Sequence, residues 1–206
     1  MTGSRKQGGA GSLLELVLIV ATALALALGI QAFLIKPYRI PSESMEPTLR
    51  DGQRVLVNRI GNRFTDPEVG EVMVFHPPKG SEQELQCGNG SQGQGHPMPC
   101  AKPTPEKADV NFIKRVVAGP GDTIAIRGGR VVRNGRVAKE PFARLCDSGG
   151  ECDFPQPITI PADHWYMMGD NRGSSDDSRF WGPVPKRWII GGAFATYWPP
   201  GRFGLL

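Results

Sequence analysis

At 206 residues the chain has room for one medium domain, or for a core with a smaller appendage. Its formal charge of +4 raises nucleic acid as a partner, but Lys and Arg are scattered singly through strand-like segments with no aromatic-interleaved patch. That pattern argues against nucleic acid and for a basic domain held beside anionic lipid.

Residues 1–12 are polar and Gly/Ser-rich, a short tail expected to be cytoplasmic. Residues 13–35, "LLELVLIVATALALALGIQAFLI", hold much of the apolar content and interrupt it only at Glu15, Thr22 and Gln31. As a helix this run spans about 35 Å, enough for a bilayer core, and it is expected to be a single-pass anchor. A cleavable signal peptide is the competing reading, although an h-region is normally shorter than this. Arg5 and Lys6 favour a cytoplasmic N-terminus, while Lys36 and Arg39 follow on the other side. The four cysteines, Cys87, Cys100, Cys146 and Cys152, lie downstream in polar Gly/Pro-rich loops. Nearest neighbours give the pairs Cys87–Cys100 and Cys146–Cys152, among three possible connectivities. Zinc is the alternative, but neither pair has the spacing of a zinc knuckle. Disulfides place the rest of the chain on the extracytoplasmic face.

Beyond the anchor the pattern is strand-like. Residues 53–60, 71–77, 111–122, 164–170 and 187–198 are short, rich in β-branched and aromatic residues, and bounded by Gly or Pro. Residues 123–138 alternate and then turn at Asn134-Gly135, a two-residue hairpin signal. Two stretches interrupt the strands. Residues 79–110 read as a variable surface excursion and 140–157 as a smaller loop, each holding one cysteine pair. The expected fold class is mainly antiparallel β after one helix.

The stretch "IPSESMEPTL", residues 40–49, places two serines between prolines, which by itself means a turn. For either to act as a nucleophile, something must take its proton. His76, His96 and His164 lie in segments with no other catalytic character, and no His/Asp/Glu cluster suggests a metal. A lysine serves as base only when neutral, so its pKa must fall from about 10.4 toward 7 or 8. Burial among apolar side chains achieves this by penalising the ammonium. Lys114 sits between Phe112, Ile113, Val116 and Val117 on an expected strand, whereas Lys79, Lys102, Lys107, Lys139 and Lys186 have polar surroundings. Pattern alone equally allows Lys114 to be the solvent-facing residue of a half-buried strand.

Three stretches in this order, "IPSESMEPTL" (40–49), "FIKRVVAGPGD" (112–122) and "GDNRGSSDDSRFWGPVP" (169–185), together closely resemble the bacterial type I signal peptidases, a family of Ser/Lys proteases. "GEVMVFHPP" (70–78) looks like the strand that joins the first two in that family. The resemblance implies that Ser44 is the nucleophile, Lys114 the general base, and that the Ser42 hydroxyl with the Ser44 backbone N–H forms the oxyanion hole. It implies that Met45 packs near the lysine, that Ser175 orients the amine, and that Asp177 and Arg179 form an ion pair bracing the loop. Gly173 and Ser174 depart from the bulkier polar residues common there. Tyr38, Ile40, Pro41, Met45, Leu49, Phe112 and Ile113 match positions lining the pockets that admit a small-x-small (Ala-x-Ala) sequence.

The implied activity is removal of signal peptides from secreted preproteins through an acyl-enzyme, with no cofactor and no metal. Implied partners are preproteins emerging from the secretion machinery and the lipid bilayer. The implied architecture is a catalytic β-core over 36–122 and 157–206, with a smaller β-subdomain inserted at 123–156. Two other functions fit parts of the sequence: an anchored β-module that binds peptides without cutting them, and a Ser/Lys protease restricted to itself or one dedicated partner.

Overall fold

A computed structural model describes residues 9–82, 85–146 and 152–206, with side-chain surroundings additionally undescribed for 9–12 and 30–33. The expected tail over residues 1–8 lies outside the described residues. Helix α1 runs Gly9–Phe33, and β1 follows at Ile35–Arg39. The helix ends two residues short of the apolar run because Pro37 has no N–H and biases Lys36 toward extended backbone. Leu13 to Leu28 are exposed along the helix. Among the described residues, no helix is long and apolar enough to cross a membrane. The expected single-pass anchor over 13–35 therefore has no support in the fold itself.

The remaining strands are β2 (Arg54–Asn58), β3 (Val72–Phe75), β4 (Phe112–Ala118), β5 (Thr123–Arg127), β6 (Arg130–Arg133) and β7 (Arg136–Val137). They are followed by β8 (Phe154–Thr159), β9 (His164–Met168), β10 (Val184–Pro185), β11 (Ile189–Trp198) and β12 (Gly204–Leu205). Two short helices, α2 (Gly61–Phe64) and α3 (Ser178–Trp181), interrupt them. An eight-stranded sheet has the order β1-β2-β11-β3-β4-β9-β10 with β12 on β11, and a four-stranded sheet has the order β7-β6-β5-β8. Every pairing between these strands is antiparallel, so the fold is mainly antiparallel β.

The chain crosses to the smaller sheet after β4, through a turn at Pro120-Gly121 where Gly121 adopts φ +81°, and returns through β8 to β9. The Asn134-Gly135 turn, with φ +52° and +75°, joins β6 to β7. Strand β8 falls partly within a stretch read as loop, because Pro155 and Pro157 argue against a strand. It is the edge strand of its sheet, where a missing N–H costs no ladder bond.

Two apolar clusters form the core. One joins Ile124, Ile126, Val131, Phe154 and Ile158 of the smaller sheet to Trp165, Met167, Phe180 and Trp181. The other packs Ile40, Met45, Leu49, Val55, Val57, Val72, Val74 and Ile113 beneath the serine-bearing turn. Cys87 is bonded to Cys100 and Cys146 to Cys152.

Candidate active site

The serines sit where β1 leaves the sheet edge. Ile40 is held by reciprocal backbone bonds, its N–H donating to Gln53 O and its C=O accepting from Gly52 N–H. A single 3₁₀ turn, Glu43–Met45, then carries Ser44. Met45 and Leu49 are fully buried in the second cluster and fix the turn on its apolar side. From the opposite side, Asn171 N–H donates to Ser44 O at 3.1 Å and Asn171 Nδ2 to Glu43 O at 3.3 Å. The turn is thus held between a core and a loop, with its hydroxyls facing a cleft.

Lys114 comes from the middle of β4, where every residue from Ile113 to Ala118 is buried. The solvent-facing alternative for Lys114 fails on that burial. Its Nζ lies 2.6 Å from Ser44 Oγ, across seventy residues of sequence, and 5.5 Å from the centre of the Phe112 ring. Ser44 and Lys114 are 6% and 5% exposed, so bulk water screens neither. Burial pulls the Lys114 pKa down from 10.5 to about 8; Asp177, Asp176 and Asp170 pull it back up, and Arg179 assists the fall. A lysine so placed is neutral in a useful fraction of molecules near pH 7, as a proton acceptor must be. The Ser42 hydroxyl is 3.2 Å from Ser44 Oγ and lies on the exposed side of the turn.

The loop from Gly169 to Arg179 closes the site from behind, and three buried arginines hold it. Arg115 donates to both oxygens of Asp170, from Nε at 2.8 Å and Nη2 at 2.6 Å. Arg172 spans to the smaller sheet, donating from Nη1 to Gly129 O at 2.6 Å and from Nη2 to Glu140 at 2.7 Å. Arg179 grips Asp177 through Nε at 2.7 Å and Nη2 at 2.9 Å. Burial opposes the Asp177 charge, but the Arg179 guanidinium and the Gly169 N–H outweigh it and hold the carboxyl below its usual value. The Ser175 hydroxyl donates to Asp177 Oδ2 at 2.9 Å. No bond joins Ser175 to Lys114 among the described residues; the hydroxyl is turned to Asp177, whose charge raises the Lys114 pKa.

Two hollows adjoin through shared Pro41, Phe112 and Ile113, and the first of them reaches Ser44. One, of about 550 Å³, is lined by Pro41, Ser42, Ser44, Phe112, Ile113 and Lys114, with Glu82, Ser174 and Asp176 at its rim. The other, of about 320 Å³, is lined by Tyr38, Ile40, Pro41, Val74, Phe112 and Ile113. Of the residues expected to line substrate pockets, Met45 and Leu49 line neither hollow; both lie behind the turn with no exposed surface. Val110 and Asn111 line both hollows and were not singled out in the sequence, because nothing local to them marks where they meet the serine-bearing turn.

Gly169 is a further residue the pattern did not mark. A Cβ there would collide with the Ser175 side chain and the Ser44 carbonyl, so glycine sets how closely this loop approaches the nucleophile turn. Arg115, Asp170 and Thr48 were missed as well, since the contacts that define them appear only when β4 and the two loops meet. Among the described residues no group of His, Cys, Asp and Glu could hold a metal ion.

A buried serine and a buried lysine thus meet beneath a cleft on a mostly antiparallel β scaffold. Residues 13–198 match the family described as "Signal peptidase, peptidase S26". The chain is 36% identical to signal peptidase I of Leptolyngbya laminosa over 94% of its own length and 84% of that protein. It is 35% identical to the probable signal peptidase I-2 of a Synechocystis strain, over 94% and 77% respectively. Signal peptidase IB of Staphylococcus aureus is 28% identical over 93% of this chain and 92% of its own. The chain belongs to the signal peptidase family, peptidase S26, and its enzyme class is that of the type I signal peptidases, which are serine proteases.

Proposed function

We propose that this peptidase cleaves signal peptides with Ser44 as nucleophile and Lys114 as general base. The observation that carries the reading is the 2.6 Å approach of Lys114 Nζ to Ser44 Oγ in surroundings that pull the lysine pKa down to about 8. Neutral Lys114 accepts the Ser44 proton as the hydroxyl attacks the scissile carbonyl. The proton then passes to the leaving amine, freeing the mature protein and leaving an acyl group on Ser44. Water, deprotonated by the same amine, hydrolyses the ester and restores the serine. The Ser42 hydroxyl and the Ser44 N–H receive the charge that develops on the carbonyl oxygen.

Selection of small residues rests on the hollows beside Ser44. Tyr38, Ile40, Pro41, Phe112 and Ile113 present bulky apolar walls that admit an alanine methyl and exclude larger side chains by clash. The bound segment lies extended beside the β1 edge, so backbone bonds supply grip and the hollows supply choice.

Attachment to a membrane is proposed on the exposed face of α1. Leu13, Leu14, Leu18 and Ile19 are 66%, 63%, 57% and 66% exposed, an apolar surface that a soluble chain does not leave uncovered. With α1 in the bilayer and the N-terminus cytoplasmic, the site faces the extracytoplasmic side, where preproteins emerge. Two disulfides suit that compartment.

The test is cleavage of an Ala-x-Ala preprotein by the full chain in detergent, with N-terminal sequencing of the product. Wild type yields a new N-terminus after the second alanine, and Ser44→Ala and Lys114→Ala yield none. Near wild-type turnover by folded Lys114→Ala would rule the lysine out as base.

A further inference from the structure

A third hollow, of about 740 Å³, lies at the end of the larger sheet from which α1 departs, and its lining carries Arg59, Arg63, Lys107, Lys186 and Arg187 against one carboxylate, Asp163. Lys186 is paired with Asp66 at 2.5 Å. Arg59, Arg63, Lys107 and Arg187 take part in no ion pair among the described residues. Like charges gathered at one concave surface repel one another, and such an arrangement is compensated by an anion.

Its place in the fold says which anion. Arg59 N–H donates to Leu34 O at 2.9 Å, so the hollow begins at the foot of α1. Arg63 lies on α2 next to Phe64, which is 82% exposed, and Leu34 is also exposed. Cations beside outward-facing apolar side chains at the base of an apolar helix match the two layers of a lipid surface, charged headgroup and acyl chain. A free anion would make no use of the apolar neighbours. An acidic peptide would seek a sheet edge, but β3 and β11 here are both interior strands.

We propose that this hollow binds the phosphate of an anionic phospholipid headgroup while Phe64 rests among the acyl chains. The proposal rests on the reading of α1 as membrane-associated. It gives the 79–110 excursion a role, since Lys107 returns from it to bridge Pro78 at the rim. It also fixes the height of the catalytic cleft above the lipid: Ile189 in the hollow faces Phe75 across one ladder, and Phe75 faces Phe112 across the next.

The test uses the full chain in uncharged maltoside micelles. Native mass spectrometry counts short-chain phosphatidylglycerol or phosphatidylcholine retained per chain, for wild type, Arg59→Gln/Arg63→Gln and Lys107→Gln/Arg187→Gln. Wild type retains phosphatidylglycerol over phosphatidylcholine, and each double variant retains it about 30-fold less, as expected when two cations leave a lipid phosphate. Equal retention of the two lipids overturns the proposal, as does unchanged retention by both variants. Displacement by millimolar inorganic phosphate also overturns it, by showing a small-anion site. Preprotein cleavage in lipid-free micelles is unchanged in a folded double variant, which separates this site from the Ser/Lys reading. Flotation of the full chain on neutral phosphatidylcholine vesicles tests α1 attachment independently of the hollow.

Discussion

Lys114 is held where its own charge is unwelcome, and that has consequences for both rate and stability. With its pKa pulled down by burial to about 8, kcat/KM should rise as pH rises and level off above about 8, reporting the lysine losing its proton in the free enzyme. The stability effect has the same direction. The unfolded chain holds the lysine proton up to about 10.5 and the folded chain only to about 8, so the unfolded state binds more protons between these values. Stability therefore increases with pH through that window, and the full cost is present below it. The fall from 10.5 to about 8 corresponds to about 3 kcal/mol. Lys114→Met should be inactive yet more stable at pH 7, by on the order of 1–3 kcal/mol, because an apolar chain of similar volume replaces a buried amine. Urea unfolding at pH 7 and pH 10 checks both parts: wild type gains stability across the interval and Lys114→Met loses that gain. A second residue-scale prediction concerns Gly169. Gly169→Ala should lower kcat/KM by about 100-fold or more with Ser44 and Lys114 both present, because its Cβ displaces the nucleophile turn.

At the scale of elements, the loop from Gly169 to Arg179 decides whether Ser44 and Lys114 meet. Arg179 is fully buried and its charge is balanced by Asp177. Asp177→Asn leaves that guanidinium without its partner and should cost about 3–5 kcal/mol, measured by urea unfolding. The same change removes an anion that raises the Lys114 pKa, so the acid limb of the residual pH–rate profile should move to lower pH. A merely loosened loop would reduce the rate without moving that limb. Asp177 itself is held below its ordinary pKa, so the stability it contributes is present above about 4 and is lost as pH falls below it.

This loop also marks how far a sequence can be read. Strands β2, β3, β4, β9 and β11 announced themselves by β-branched runs bounded by Gly and Pro, and Lys114 stood out as a lysine in an apolar run. The resemblance then singled out Ser42, Ser44, Ser175, Asp177 and Arg179: Ser42 and Lys114 lie 3.2 and 2.6 Å from the Ser44 hydroxyl, and Ser175 and Arg179 both bond the Asp177 carboxylate at 2.9 and 2.7 Å. What stayed hidden was contact between distant segments. Nothing local to Arg115, Asp170 or Thr48 says that they meet, and β8 was concealed by prolines that only an edge position excuses. Met45 and Leu49 show the converse error: motif positions beside a nucleophile need not face the substrate, and these two face the core.

For the molecule as a whole, the question is how far catalysis depends on α1. Its side chains from Leu13 to Leu28 are exposed, while the catalytic turn, β4 and the arginine-held loop draw their contacts from the two sheets. A chain beginning at Leu34 keeps the carbonyl that accepts from Arg59 and, among the described residues, loses no side chain of either apolar cluster. Such a truncation should fold, with an unfolding midpoint in urea close to that of the full chain, since removing exposed residues changes stability by only about 0.5 kcal/mol. Its kcat/KM on a soluble Ala-x-Ala peptide should remain within about threefold of the full chain, because the reacting groups are untouched. On a preprotein inserted in vesicles the rate should fall by about 100-fold, as the helix no longer holds the cleft near the emerging substrate and that local concentration is lost. Equal losses on both substrates would show that α1 supports the fold of the site, and no loss on either would remove the helix from the mechanism.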